Sequence, residues 1–141
     1  MDFQVIYFSK TGHTKKVAEA IASELDVIAE DVKNAKLNDG CLVFLGSGCY
    51  GSKPSKFITK FIEDNNFKSR NIALFGTSGS GKGIECRDME NLLITKGASI
   101  KGKFFCKGKR EAKTMDERKE PSHKRRIERG IFSFEFLGLS F

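Results

Sequence analysis

The sequence predicts an α/β fold in which helices cover a parallel β-sheet on both faces. Short apolar runs alternate with amphipathic helical segments from residue 3 to residue 106, as expected for strands joined by crossover helices. The links between them are short and rich in glycine, and such crossovers are right-handed. The chain has 141 residues, which is enough for one domain with one core.

The strands and helices can be placed from the spacing of apolar residues. Strands are predicted at 3–8, from 26–28 onward, and at 41–45, 71–75 and 100–106. The run 41–45 is apolar throughout, which indicates a central strand buried on both faces. Helices are predicted at about 13–24, after Pro54 and from residue 84 onward. Pro54 suits the first turn of the second helix, and Gly97 is expected to end the third.

The net charge of +7 is unevenly distributed. Residues 1–100 carry 13 Lys and Arg against 12 Asp and Glu, whereas residues 101–141 carry 12 against 6. The basic run at 124–126 could contact nucleic acid, but such runs are usually only solvated. No nucleic-acid partner is therefore expected.

The cysteine spacing limits the metal sites that can be expected, and the N-terminal residues indicate the cellular compartment. Cys41, Cys49, Cys86 and Cys106 form no C-x-x-C pair, and with two histidines no zinc spacing is present. Free thiols are thus expected, and no metal. The N-terminus enters a strand-like run without a basic leader, and no apolar run is long enough for a membrane span. These features predict a cytoplasmic protein.

Three loops rich in glycine, serine and threonine follow predicted strands. They cover residues 9–14, 46–53 and 76–83. In open α/β sheets, ligands bind beyond the carboxyl ends of the strands. Glycine lets the backbone approach a ligand, and hydroxyl and free N–H groups are donors for an anion. A ligand site is therefore expected at this edge of the sheet.

The loop at 9–14 carries the strongest signal. It reads SKTGHT and joins a buried strand to an amphipathic helix. Backbone N–H groups at a helix start attract anions such as phosphate, because the helix dipole favours negative charge there. The hydroxyl groups of Ser9, Thr11 and Thr14 add further donors. A capped turn would explain one of these hydroxyls but not three.

With the strand before it, this loop resembles the signature of the flavodoxin family, in which a hydrophobic strand leads into S/T-x-T-G-x-T and a helix. The resemblance covers about residues 3–106 and includes the two later loops. It implies a flavodoxin-like three-layer sandwich around a five-stranded parallel sheet of order 2-1-3-4-5. It also implies one FMN, bound without a covalent bond.

The resemblance implies a cofactor role for each loop. The first loop would bind the phosphate, and the second would lie against the isoalloxazine ring. The third would donate backbone hydrogen bonds to the pyrimidine side of the flavin and to the ribityl chain. Tyr50 is expected to stack on the flavin; an exposed loop tyrosine is the alternative. Lys82 either contacts the phosphate or is a solvated charge. The expected cofactor-binding residues are Ser9, Lys10, Thr11, Gly12, His13, Thr14, Ser47, Gly48, Cys49, Tyr50, Gly51, Thr77, Ser78, Gly79, Ser80 and Gly81. Lys10 and His13 are expected to point their side chains to solvent.

No general acid, general base or activated nucleophile stands out, and an electron carrier needs none. The resemblance therefore implies a protein that shuttles electrons between redox partners, a reductase and an electron acceptor. The alternatives are an FMN-dependent NAD(P)H:quinone-type oxidoreductase and a binding module without flavin. The segment 76–82 also matches the P-loop pattern G-x-x-x-x-G-K. Gly83 stands where that motif needs Ser or Thr, which makes an ATPase the weaker interpretation.

The C-terminal segment departs from this pattern. Residues 1–108 are predicted to form the FMN-binding domain, and residues 109–141 are first basic and then rich in phenylalanine. The last part fits a strand or a helix equally well. It could cover the sheet, exchange with a partner or join two copies into a homodimer. Electron-carrier flavodoxins are typically acidic, so the basic charge here puts their usual partners in doubt.

Overall fold

The five strands form one parallel sheet of order 2-1-3-4-5, which is the order that the resemblance to the flavodoxin family implied. The computed structural model describes residues 2–79 and 82–107. Within them the elements follow in this order: β1 (Asp2–Phe8), α1 (His13–Glu24), β2 (Ala29–Asp31), β3 (Cys41–Gly48), α2 (Lys56–Asp64), β4 (Asn71–Ser78), α3 (Ile84–Thr95) and β5 (Ser99–Lys107). Chain order reverses between β1 and β3, so their carboxyl ends flank the crevice where such sheets bind ligands.

The two faces of the sheet are covered by different helices. On one face, α1 packs Val17 and Ile21 against Val5 and Phe44. On the other, α2 and α3 cover a cluster that includes Ile58, Met89 and Leu93. Successive residues of β3 alternate between the two clusters, as the two-residue period of a strand requires. Both faces of the central strands are therefore buried.

Two central strands are longer than the apolar pattern predicts. The pairing of β3 with β4 continues through Gly46–Phe75, Ser47–Gly76 and Gly48–Thr77, although residues 46–48 and 76–77 were expected to lie in loops. A Cβ atom at Gly46 would collide with the ring of Phe75, so glycine is needed for this close pairing. The extension carries Gly48 and Thr77 to the rim of the sheet, where the candidate site lies.

Three smaller details also differ from the sequence prediction. The second strand is only Ala29–Asp31, a shift of a few residues in a weakly patterned segment. Pro54 lies outside α2, because Ser55 is the N-cap and accepts a hydrogen bond from the Phe57 N–H. The predicted end of α3 is confirmed, since Gly97 follows the helix with a φ of +87°.

The segment 109–141, with its alternative roles, lies outside the described residues. Among the helices that the structure does describe, none has the length and apolar character needed to cross a membrane.

Candidate functional site

A cavity of about 200 Å³ lies at the carboxyl ends of β1, β3 and β4. All three predicted loops contribute to its wall. The lining residues are Thr11, His13, Thr14, Gly48, Cys49, Tyr50, Thr77, Ser78 and Gly79. The structure therefore brings together residues that lie up to 68 positions apart in the chain.

The loop after β1 presents an uncapped helix start. Ser9 Oγ accepts a hydrogen bond of 2.9 Å from the Gly12 N–H, which closes the loop. Gly12 is the N-cap of α1 with a φ of +99°, and no side chain caps the helix. Glycine suits this left-handed conformation. The N–H groups of the first turn thus lack a side-chain acceptor, and helix starts of this kind bind anions.

Two threonine hydroxyls join the first loop to the third. Thr14 Oγ1 and Thr77 Oγ1 are 2.8 Å apart, and their residues are 2% and 4% exposed. The bond connects α1 to the end of β4 beneath the cavity. Buried hydroxyl groups need a partner, so each threonine depends on the other.

The second loop is a tight turn anchored by a serine. Tyr50 and Lys53 exchange two backbone hydrogen bonds, of 2.7 and 3.2 Å. The residues between them, Gly51 and Ser52, have φ values of +60° and +63°. Ser47 is fully buried and accepts a hydrogen bond of 2.8 Å from the Ser55 N–H, so its hydroxyl group holds the start of α2.

Tyr50 lies across the cavity wall. Its hydroxyl group accepts a hydrogen bond of 3.2 Å from the Lys10 N–H, which ties the second loop to the first. Its ring meets Phe8 edge to face at 6.1 Å. A Cβ atom at Gly48 would lie 2.7 Å from the Tyr50 hydroxyl oxygen, so the tyrosine needs glycine beneath it. Burial raises the pKa of Tyr50, which keeps the phenol neutral.

Cys49 also lines the cavity, but its chemistry is that of a neutral thiol. Burial raises its pKa first, and the carboxyl group of Glu85 adds to the effect. A thiol with a raised pKa is a poor nucleophile. The structure thus gives no support for a catalytic cysteine.

Glu85 is a residue that the sequence analysis missed. It lies in the first turn of α3 and is fully buried, beside the Cys49 thiol. The sequence does contain a signal for this burial. Glu85 lies four residues before Met89 and eight before Leu93, so it falls on the buried face of α3. An acidic side chain on an apolar stripe predicts either a partner or an altered pKa.

An aromatic and cationic patch next to the cavity was also missed. Phe57 is 49% exposed and stacks on Phe8 with a ring distance of 4.9 Å. The Lys33 Nζ lies over both rings, 4.7 Å from that of Phe57 and 5.4 Å from that of Phe8, within range of a cation–π interaction. We call Phe8, Phe57 and Lys33 the aromatic patch.

The surface at this edge of the sheet is strongly basic. The described segments 9–16, 31–33, 49–59, 77–79 and 82–88 contain eight Lys or Arg residues and three acids, which are Asp31, the buried Glu85 and Asp88. The remainder of residues 1–100 has five basic and nine acidic residues. This imbalance attracts anions toward the cavity.

The remaining predicted site residues lie around the cavity rather than in its wall. These are Ser9, Lys10, Gly12, Ser47 and Gly51. Ser80 and Gly81 lie outside the described residues. His13 lines the cavity and is only partly exposed, whereas a solvent-facing side chain was expected. Lys82 is exposed and lines a separate cavity with Arg87 and Lys103.

The geometry does not support the P-loop interpretation. Gly83, in place of the serine or threonine that would ligate Mg²⁺, is the N-cap of α3. In the part of the chain that the structure describes, no group of three or more His, Cys, Asp or Glu residues could hold a metal ion.

Comparisons with known proteins agree with the fold. The flavodoxin domain family model matches residues 4–131. The flavodoxin of Clostridium beijerinckii is 32% identical over 110 residues, which cover 69% of this chain and 79% of that one. A flavodoxin from the domain Archaea has the same fold, with a TM-score of 0.68 at 20% identity over 99% of this chain and all of that one.

A further structural neighbour contains a cofactor. The flavoprotein of Lactobacillus acidophilus, solved in complex with FMN, has a TM-score of 0.61 at 18% identity, over 74% of this chain and 93% of that one. The family match spans most of the chain and includes all three loops of the cavity. This chain is a member of the flavodoxin domain family.

Proposed function

We propose that this chain binds one FMN at the cavity and carries electrons between redox proteins. The observation that supports this best is the meeting of an uncapped helix start with a glycine-rich, tyrosine-bearing loop at the point where the strand order reverses. Family membership supports the same cofactor, since a structural neighbour was solved with FMN.

The first loop fits the phosphate of FMN. It has the N–H groups of an uncapped helix start, the Thr11 hydroxyl group at the cavity wall and a basic surrounding surface. No arginine is required, because backbone N–H groups and the helix dipole hold a phosphate on their own. Thr11 and the first turn of α1 would bind this end.

The second and third loops fit the flavin ring and the ribityl chain. Tyr50 is an aromatic residue in the cavity wall, and its hydroxyl group packs directly over Gly48, which also lines the cavity. Ser78 and Gly79 would supply donors on the opposite side. When bound, FMN supplies one-electron and two-electron redox chemistry. The chain's own residues would bind the cofactor and limit its contact with water.

The size of the cavity favours a carrier over an enzyme with its own substrate pocket. At about 200 Å³ it is smaller than common ligand pockets, which measure roughly 300–1,000 Å³. A ligand as large as FMN would therefore stay partly exposed, which suits electron transfer to another protein. An NAD(P)H:quinone-type oxidoreductase needs further walls, which a second copy would have to provide.

The charge at this edge favours an acidic redox partner. Lys10, Lys53 and Lys56 are exposed in the first two loops and at the start of α2, and the Phe57 ring of the aromatic patch gives apolar contact area. Opposite charges on two proteins speed their encounter, and salt weakens the effect. We expect electron transfer to an acidic iron–sulfur protein to slow with ionic strength, and transfer to basic cytochrome c to lack this dependence.

FMN titration of the Thr11→Ala variant tests the binding site. Loss of a hydroxyl donor to a charged acceptor costs about 1.5–3 kcal/mol, so the Kd should rise roughly 10-fold to 150-fold. Thr95→Ala is the matched control, because Thr95 lies at the far end of α3. Quenching of flavin fluorescence gives both constants. Equal constants for Thr11→Ala and the wild type would show that the loop does not hold the phosphate.

An assay of NAD(P)H oxidation separates the carrier from the enzyme. FMN-loaded protein with a quinone acceptor should turn over slowly, and addition of a flavodoxin reductase should speed reduction of the flavin. Rapid turnover by the isolated protein would contradict the carrier proposal and favour the oxidoreductase.

A further inference from the structure

Glu85 is a buried carboxyl group without a conventional hydrogen bond. It is 0% exposed, and among the described residues neither Oε1 nor Oε2 has a hydrogen bond of ordinary geometry. Its own backbone N–H and the Cys49 thiol are its polar neighbours, and they replace only part of the hydration that an ionised carboxylate loses on burial. Leucine or methionine would fill the same volume without that cost. What distinguishes glutamate here is the proton that it can bind.

The carboxyl group lies directly behind the wall of the candidate cofactor cavity. It packs on the end of β4, where a Cβ atom at Gly76 would collide with it. The Cys49 thiol, which lines the cavity, interacts with it electrostatically. Glu85 therefore lies one side chain away from the cavity, with no surface exposed to bulk water in this conformation.

Within the described residues, few other ionisable groups act on this carboxyl group. The strand β4 carries none, and Asp88 on α3 acts on the same Cys49 thiol. On β5, Lys103 forms an ion pair of 2.8 Å with Glu90 instead, and Lys101 is exposed. Burial raises the pKa of Glu85 above its usual 4.5, with its own backbone N–H and the Cys49 thiol acting in the opposite direction. Glu85 therefore holds its proton to a higher pH than an exposed glutamate does.

We propose that Glu85 takes up a proton when the bound cofactor is reduced and releases it when the cofactor is oxidised. This inference rests on the proposed function. Reduction adds negative charge to the cavity, and a second negative charge close by becomes more costly in a low dielectric. The Glu85 pKa is therefore higher beside the reduced cofactor than beside the oxidised one.

The proton and electron balance follows from these two pKa values. At a pH between these two pKa values, Glu85 is a carboxylate in the oxidised protein and a carboxylic acid in the reduced protein. Electrons pass from the reductant, a redox partner or dithionite in the assay, to the cofactor. One proton passes from water to a Glu85 carboxylate oxygen, and Glu85 forms no bond to the cofactor. Within this window the equilibrium constant for reduction falls by about tenfold per pH unit beyond the cofactor's own proton dependence.

Infrared difference spectroscopy of FMN-loaded full-length protein tests this directly. Wild-type protein, Glu85→Gln and the control Glu63→Gln, which changes an exposed glutamate of α2, are reduced with dithionite at a series of pH values. A protonated carboxyl C=O band should appear on reduction in the wild type and the control, and be missing in Glu85→Gln. The extra tenfold pH dependence should disappear with it. Protons bound by the cofactor itself are common to all three proteins and cancel.

The outcomes separate this inference from the proposed function. FMN binding with no carboxyl band on reduction of the wild type would overturn the role of Glu85 alone, whether or not the variant folds. An equal band and equal pH dependence in wild type and Glu85→Gln would do the same. Wild-type protein that does not bind FMN would overturn the proposed function, and this inference with it.

Discussion

The bond between Thr14 and Thr77 should be the most consequential polar contact beneath the cavity. It joins α1 to the end of β4 with an oxygen–oxygen distance of 2.8 Å. Replacement of either threonine by valine keeps the shape of the side chain and removes one hydroxyl group. The remaining hydroxyl is then buried without a partner, which should destabilise the fold and disturb two of the three loops.

The magnitude follows from the burial of both residues. An unsatisfied buried hydroxyl costs about 1–3 kcal/mol, so each single variant should lose that much free energy of unfolding. For a chain of this length, 1 kcal/mol corresponds to a Tm change of roughly 3–5 °C. The double variant Thr14→Val, Thr77→Val leaves no orphaned hydroxyl, so it should recover much of the loss.

Urea unfolding of the wild type, both single variants and the double variant measures the interaction as a double-mutant cycle. We expect a coupling energy of about 1 kcal/mol or more. Two single variants as stable as the wild type, or losses that simply add in the double variant, would refute the argument. FMN affinity, measured on the same proteins, should fall in both Thr14→Val variants because Thr14 lines the cavity.

Three further changes have distinct expected outcomes. Gly48→Ala places a Cβ atom 2.7 Å from the Tyr50 hydroxyl oxygen and should cost about 1–3 kcal/mol of stability through overpacking, with weaker FMN binding by fluorescence titration. Ser52→Gly relieves a φ of +63° and should add about 1 kcal/mol, seen as a higher Tm. Since burial raises the Glu85 pKa, the neutral acid stabilises the fold at low pH, and this contribution is lost as pH rises through the raised pKa. The Tm of the wild type should therefore fall relative to that of Glu85→Gln as pH rises above about 4.5, and parallel Tm curves would contradict this.

The parallel sheet could be predicted because the relevant signals are local, whereas its strand order was implied by the resemblance to the flavodoxin family. Strands with nearly continuous apolar character, joined by amphipathic helices, permit few topologies once crossovers must be right-handed. The exact strand ends could not be predicted in the same way. Gly46 and Gly76 look like loop residues, yet they extend β3 and β4, because a ring and a carboxyl group pack where their side chains would be.

The candidate site was predictable as a set of loops but not as a set of contacts. Serine, threonine and glycine residues in the loops after the strands identify the edge of the sheet that carries the candidate site. Nine of the predicted residues line one cavity there. Their spacing could not show that Ser47 holds α2 or that Thr14 bonds Thr77, since these partners are distant in sequence. Glu85 was missed because a single acidic residue near a helix start is usually an exposed favourable charge.

Backbone NMR of the full-length chain during titration with FMN tests the central proposal most directly. We expect saturation at one FMN per chain, with shifts concentrated in the amides of 9–14, 48–51 and 77–79. Riboflavin, which lacks the phosphate, should bind at least about 100-fold more weakly, because more than one charged hydrogen bond is lost. Equal binding of the two, or shifts confined to the cavity lined by Lys82 and Phe105, would contradict it.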